Sequence, residues 1–323
     1  MRNTSYCDLC GNEVQVTAVL SDIKDNEMKV VQSFQIVECE KCSHCFLHPF
    51  PKSFDEVSKC YPDNYYAHSA CTVRKKNIKN GIKRLLRKAY YKKNTHHLFL
   101  HRILFCFFAK TVNEPPIIRD GKLCDIGCGK GEYIYEAQSY GWEVYGVEPN
   151  EKSIDYCLSK GLNVKHGYAE QIPYDDSTFN VVRMWSVLEH TISPRKALLE
   201  CNRILKSDGY LLLYVPNFGS LDSRMFGKWW GSLEVPRHIH HFKYNTLELY
   251  LEKTGFKVEK VLYPGTLVSG IKKTVNIMKK DGVSITDILT RVIKCISVKL
   301  YYRMFRGSCL FDVGIAVLAK KPE

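Results

Sequence analysis

At 323 residues the chain is long for one core of roughly 100–200 residues, so an enzyme-sized domain with appendages is expected. No apolar run approaches the ~20 residues of a bilayer span, and the opening Met-Arg-Asn-Thr-Ser-Tyr carries neither an apolar signal region nor a myristoylation signal. A cytoplasmic protein is therefore expected, peripheral at the inner face of the membrane at most, and its fourteen cysteines should be reduced thiols, metal ligands or small buried groups. The net charge of +13 is concentrated, since twelve Lys/Arg and no Asp or Glu lie between Asn64 and Asn113.

Residues 1–60 read as a zinc-ribbon-like module. Cys7-Asp-Leu-Cys10 and Cys39-Glu-Lys-Cys42 flank a stretch rich in alternating β-branched residues. Each Cys-x-x-Cys turn can present two thiolates to one tetrahedral ion, so Cys7, Cys10, Cys39 and Cys42 are the expected ligands of a closed, structural zinc site. Cys45 could replace Cys42, while His44 and His48 read as loop histidines.

Residues 61–112 read as a basic amphipathic helical segment, with helices over Val73–Lys93 and His97–Lys110, the second carrying Leu98, Leu100, Ile103, Leu104, Phe107 and Phe108 on one face. Residues 266–323 repeat the theme, because nine Lys/Arg face two Asp between Ile271 and Arg306 before a last strand over Phe311–Lys320. Basic amphipathic segments suit an anionic surface, either a membrane or a phosphate-bearing partner.

Between these segments, residues 113–265 show an alternating strand and helix pattern. Leu123-Cys-Asp-Ile126 is a short strand ending in Asp125 and running into Gly127, Gly129 and Gly131. Without a Cβ such a turn can take positive φ and let main-chain N–H groups approach a ligand. A dinucleotide site would place the third glycine one residue later and would disfavour an acid beside the turn. Seventeen residues past Gly131, the strand Glu143–Val147 leads to Glu148, where a carboxylate can accept ribose hydroxyl protons. Acid, glycines and acid together suit S-adenosylmethionine, whose amino group and sulfonium are positive.

Asn150 caps an expected helix to Lys160, and Ser193-Pro194 opens another with Ala197, Leu198, Cys201, Ile204 and Leu205 on its buried stripe before Gly209. Val181–Val187 and Tyr210–Val215 are continuous apolar runs, as parallel strands covered on both faces should be. Asn245-Thr-Leu-Glu248 has the form of a capping box, and Phe256–Leu262 reads as a further strand.

Taken in order, Asp125 to Gly131, Glu148-Pro149-Asn150, Ala169-Glu170-Gln-Ile-Pro-Tyr174, Phe179 to Val182, Val187-Leu-Glu-His190 and Ile204 to Gly209 resemble class I S-adenosylmethionine-dependent methyltransferases. The resemblance implies an α/β, Rossmann-like seven-stranded methyltransferase sheet, carrying here a small N-terminal zinc ribbon and basic helical inserts. It places Asp125 and the three glycines around the methionine end, Glu148 at the ribose, and Ala169 and Glu170 near the adenine, with Pro149 a further cofactor-binding residue. Val187-Leu-Glu-His190 stands where adenine- and glutamine-directed enzymes carry Asn-Pro-Pro-Tyr or Asp-Pro-Pro-Tyr. It is similar to the corresponding segment of small-molecule O-methyltransferases of the quinone-biosynthesis type.

An N-terminal four-cysteine module ahead of this domain resembles the zinc-containing deoxysugar C-methyltransferases. Pro236-Arg-His238-Ile-His-His241-Phe242 falls where that family carries a histidine base, without the family's glutamate, so a hydroxyl and a carbon both stay open as the acceptor. His238 and His190 are the candidate bases, a neutral imidazole being suited to the role. Trp185, Tyr214, Trp229 and Trp230 are candidates to stack on the acceptor. The expected activity is methyl transfer to a small molecule or glycan, such as a lipid-linked or nucleotide-linked saccharide. The rivals are an RNA methyltransferase using its zinc ribbon and basic segments, and a non-catalytic binding module.

Overall fold

The computed structural model describes residues 4–25, 30, 32–51, 53–61, 115–116, 118–264, 270–302 and 313–323. The two basic helices expected within 61–112 lie outside the described residues. Two sheets organise the rest.

The first sheet contains β1 (Thr4–Cys7), β2 (Asn12–Ile23), β3 (Phe34–Cys39) and β4 (Cys45–His48), all antiparallel. Each Cys-x-x-Cys pair sits at a hairpin turn, and the two turns share one geometry. Gly11 and Ser43, each directly after the second cysteine, adopt positive φ of 74° and 59°. Their N–H groups donate to the carbonyls of Cys7 and Cys39, both at 2.8 Å. A short helix α1 (Phe54–Ser58) follows.

The second sheet is built from β5 (Lys122–Ile126), β6 (Glu143–Glu148), β7 (Asn163–His166), β8 (Phe179–Trp185), β9 (Leu205–Pro216), β11 (Lys257–Leu262) and β12 (Gly314–Lys320). Its order is β11-β12-β9-β8-β5-β6-β7. β5 to β9 run parallel, whereas β12 is antiparallel to β9 and to β11. This is the seven-stranded Rossmann-like methyltransferase sheet anticipated from the sequence. Helices α2 (Glu132–Gln138), α3 (Glu151–Ser159) and α4 (Pro194–Ile204) make the crossovers β5 to β6, β6 to β7 and β8 to β9. The chain builds outward from β5 through β6 to β7 and then returns to place β8 on the other side of β5. The crevice at the carboxyl ends of β5, β6 and β8 is thus a topological switch point, where open α/β sheets bind ligands.

Two boundaries differ from expectation for local reasons. α4 stops at Ile204, because Leu205 already pairs with Phe179 as the first residue of β9, so Gly209 lies within a strand. Helix α6 (Tyr244–Lys253) starts one residue ahead of Asn245, where the Lys243 N–H donates to Thr246 Oγ1 at 3.3 Å.

The sheets are not separate bodies. β10 (His240–His241), which follows β9 by more than twenty residues, closes the first sheet by pairing with Cys45 and Phe46. One apolar cluster runs through both, joining Leu9, Val37 and Phe46 to Ile126, Leu188, Leu198 and Tyr250. A second cluster joins Ile36 and Leu47 to Phe226 of α5 (Leu221–Phe226), Met278 of α7 (Ile271–Lys280) and Cys295 of α8 (Ile285–Tyr301). Among the described residues no helix is long and apolar enough to cross a membrane.

Candidate cofactor and acceptor site

Gly127, Gly129 and Gly131 have φ of 66°, 54° and 71°, a region L side chains rarely adopt. Space excludes a side chain as firmly as conformation does. A Cβ on Gly127 would stand 2.5 Å from Val187 Cγ2, and one on Gly131 would stand 2.6 Å from Leu162 Cδ1. The turn is pinned to the next strand, since the Gly127 N–H donates to the Val147 carbonyl at 2.8 Å.

Glu148 closes the opposite wall. Its Oε2 accepts from the Gly129 N–H at 2.8 Å and its Oε1 from the Asn150 N–H at 3.0 Å. These bonds aim the carboxylate across the tips of β5 and β6 and leave each oxygen with acceptor capacity. The group is only 3% exposed, and burial pushes its pKa above the usual carboxylate range despite both N–H bonds. Asn150 also caps α3, its Oδ1 accepting from the Ser153 N–H at 3.0 Å.

Asp125 is buried at the end of β5, where its Oδ1 accepts from Arg183 Nη1 at 2.7 Å. Burial raises its pKa while the guanidinium opposes the shift. The Arg183 guanidinium lies over the Tyr133 ring at 4.0 Å and the Trp185 ring at 4.8 Å, so the acid is matched by a cation held between aromatic faces. Pro149 lies between Glu148 and the cap of α3. Ala169 is buried in the central core, and Glu170 Oε1 accepts from the Ile192 N–H at 2.8 Å, fixing the segment that leads from His190 into α4.

Beyond β8, a 3-10 turn over Leu188–His190 meets the loop carrying His238, and the Ile239 N–H donates to the Glu189 carbonyl at 2.8 Å. The two candidate bases are therefore neighbours, their rings 4.6 Å apart and edge to face. His190 Nδ1 is 3.0 Å from the Arg237 carbonyl oxygen and 3.0 Å from the Tyr61 hydroxyl. His238 Nδ1 is 2.9 Å from the Ser232 carbonyl oxygen. A carbonyl only accepts, so each Nδ1 carries the proton and each Nε2 keeps a lone pair. Burial pushes both rings below the usual histidine range, His190 to about 4, so both are neutral near pH 7.

Tyr61, Glu189 and Arg183 were not singled out by the sequence. Tyr61 reaches the cluster from 129 positions away, which no local pattern reveals. Arg183 does leave a trace, as a cation interrupting an apolar parallel strand. The aromatic candidates are engaged within the protein: Trp185 and Tyr214 stack on each other at 4.6 Å, Trp229 donates to Asp281 at 2.9 Å, and Trp230 is buried.

The four cysteines converge as their spacing predicts. Cys7 Sγ lies 3.6 Å from Cys42 Sγ and Cys10 Sγ lies 3.8 Å from Cys39 Sγ, with all four sulfurs within 4.8 Å of one another. Four sulfurs at ~2.3 Å from a tetrahedral zinc would stand ~3.8 Å apart, so this donor set fits the ion. Cys45 points elsewhere and donates to Glu38 at 3.4 Å. His44 is fully buried, its Nε2 2.9 Å from His240 Nδ1.

The glycine turn, the carboxylate across it and the sheet order define a class I methyltransferase architecture. A methyltransferase domain family model matches residues 91–261, and the chain belongs to that family. It is 32% identical over 130 residues to a ubiquinone biosynthesis O-methyltransferase of Maricaulis maris, covering 38% of this chain and 51% of that protein. It is 31% identical over 128 residues to the uncharacterized methyltransferase YcgJ of Bacillus subtilis, covering 36% and 50%. The chain spans about half the length of these curated relatives. Among solved structures it is similar to the complex of the Haloferax volcanii Trm112 methyltransferase activator with a putative methyltransferase, at 14% identity and a TM-score of 0.47, covering 73% of this chain and 98% of that one.

Proposed function

We propose that this protein transfers the methyl group of S-adenosylmethionine to a hydroxyl or carbon of a small molecule or glycan, with a lipid-linked or nucleotide-linked saccharide as the expected acceptor class. The observation that carries the reading is the Glu148 carboxylate, buried and aimed by two main-chain N–H groups across a turn with no room for a side chain at Gly127 or Gly131. Its remaining lone pairs suit the two hydroxyls of a ribose, and the main chain at Gly127, Gly129 and Gly131, free of side chains at those three positions, suits close approach by the methionine end. In this reading Ala169 and Glu170 border the adenine end of the same crevice, and Pro149 belongs to the cofactor site beside Glu148.

The cofactor supplies an already activated methyl group. What the chain has to do is hold the acceptor in line and take a proton. His238, supported by His190, accepts that proton on Nε2, because its Nδ1–H is committed to a main-chain carbonyl. Tyr61 and the Arg237 carbonyl orient His190. Zinc at Cys7, Cys10, Cys39 and Cys42 is structural in this reading and holds the two hairpin turns together.

The test uses isotopically labelled S-adenosylmethionine and a panel of saccharide and phenolic acceptors. His238→Ala should lower turnover by roughly 10²-fold or more while cofactor affinity barely changes. Glu148→Ala should weaken cofactor binding in calorimetry. Undiminished turnover would remove His238 from the chemistry, and equal affinity would remove Glu148 from the cofactor site.

A further inference from the structure

Proton transfer at the acceptor site uses two of three donors that meet there. Glu189 lies in the same turn as His190, and one donor atom from each of Glu189, His190 and His238 lies within 4.8 Å of the others. The Glu189 side chain is about as buried as any apolar residue of the core, at 1% exposure. Among the described residues neither of its carboxylate oxygens has a hydrogen-bond partner. A buried carboxylate without a partner is costly, and structures hold one where it is paired, protonated or bound to a metal.

The two imidazoles are set up in the way that metal-binding histidines are. Each donates its Nδ1–H to a main-chain carbonyl, Arg237 for His190 and Ser232 for His238, which fixes ring orientation and leaves Nε2 as the donor atom. The nearby Glu234, whose Oε2 is 3.9 Å from His238 Nε2, is already engaged by Lys273 at 2.5 Å. His190 is only half-buried.

We propose that Glu189, His190 and His238 bind one divalent transition-metal cation, distinct from any ion at the four cysteines. Two imidazole nitrogens and one carboxylate suit zinc or iron(II) and leave coordination positions open, whereas magnesium and calcium prefer all-oxygen sets. Ligand atoms around such an ion stand ~3–3.5 Å apart, and one candidate ligand atom from each of the three side chains already lies within 4.8 Å of the others. The inference rests on the proposed function only for its consequence: an ion on Nε2 of His238 occupies the lone pair that would take the acceptor's proton. Ion and proton then compete for one atom, and the ion's availability governs base-dependent turnover.

Cobalt(II) loading of the metal-stripped full chain tests this. Cobalt on four thiolates gives strong sulfur-to-metal charge-transfer absorption, whereas cobalt on nitrogen and oxygen gives only weak visible bands. The unmodified chain should bind about two ions, the second without charge-transfer absorption. Glu189→Gln and His190→Ala should weaken the second site roughly tenfold or more. The thiolate band should stay unchanged, serving as the internal control that the variant is folded. Binding of a single ion, or a second ion that both variants keep at full affinity, would overturn the proposal. Turnover is read in parallel: a fall on loading the second site supports competition with the base, and a rise supports the ion site while removing imidazole as the base.

Discussion

Glu148 and Asp125 are neighbouring buried acids whose burdens are met differently, and the difference predicts different phenotypes. Burial raises the Glu148 pKa, so in the free protein the ionised group opposes folding at neutral pH, and that opposition is relieved as pH falls through the raised value. Cofactor binding runs the other way, since ribose hydroxyls need the ionised carboxylate as acceptor. Affinity for S-adenosylmethionine is therefore expected to fall on acidification already above the ordinary carboxylate range, and Glu148→Gln should flatten that dependence; calorimetry at a series of pH values checks both. Asp125 is instead matched by Arg183, 14% exposed. Arg183→Met would strand the acid, and about 3–5 kcal/mol of stability should be lost in denaturant unfolding. The acids at the two strand tips were legible because strand, turn and strand follow in sequence. Arg183 was not assigned because its partner lies on an adjacent strand 58 positions away.

The hairpin turns that carry the cysteines also dock onto the catalytic sheet. Asp8, inside the first Cys-x-x-Cys turn, accepts from the Ser193 hydroxyl at 2.5 Å and from the Arg195 N–H at 2.9 Å, so it sits at the N-terminus of α4. A carboxylate there satisfies an unpaired N–H and faces the positive end of the helix. Asp8→Ala should cost about 1–2 kcal/mol in denaturant unfolding, the usual worth of a strong cap. If the cysteines hold zinc, a chelator should release the turn and reproduce most of that loss, and Asp8→Ala should then add little to it. The parallel strands and the crossover helices were readable from apolar runs and caps. The docking was not, because Ser193 already reads as a complete cap and nothing in its neighbourhood names a second acceptor 185 residues earlier in the chain.

At the scale of the whole molecule, a buried ion pair fastens the end of β2 to the loop that leads into β10. Asp25, just past β2, accepts from Arg237 Nη2 at 2.9 Å with both side chains almost fully buried, and Arg237 Nη1 donates to the Cys60 carbonyl at 3.0 Å. On the outer side, Ile285, Leu289 and Ile293 of α8 form an exposed apolar stripe at helical spacing, with Lys294 beside it and Lys279 and Lys280 at the end of α7. A stripe of that kind beside cations suits an anionic bilayer surface. The chain is expected to sediment with vesicles containing anionic lipid at low salt and to be released at high salt, and failure to sediment at low salt would assign the stripe another role.

The ion pair supports a sharper prediction, because it links folding to chemistry. Arg237 precedes His238, and its carbonyl oxygen is the partner that fixes the His190 ring. Replacing Asp25 by Ala leaves a guanidinium buried against the Cys60 carbonyl without its carboxylate, and breaking a buried pair from one side costs about 3–5 kcal/mol. Replacing both partners by apolar residues of similar volume, Asp25→Leu with Arg237→Met, removes the stranded charge and should restore most of that stability. Turnover need not follow stability. The double variant keeps the main-chain carbonyl at position 237 but loses the side-chain bonds that hold its loop against Cys60, next to Tyr61, so the orientation of His190 should loosen. Denaturant unfolding and steady-state kinetics measured on both variants separate the two effects. Recovered stability with turnover still depressed is expected if the pair positions the histidines, whereas recovery of both together would reduce it to a fastening of the loop ahead of β10.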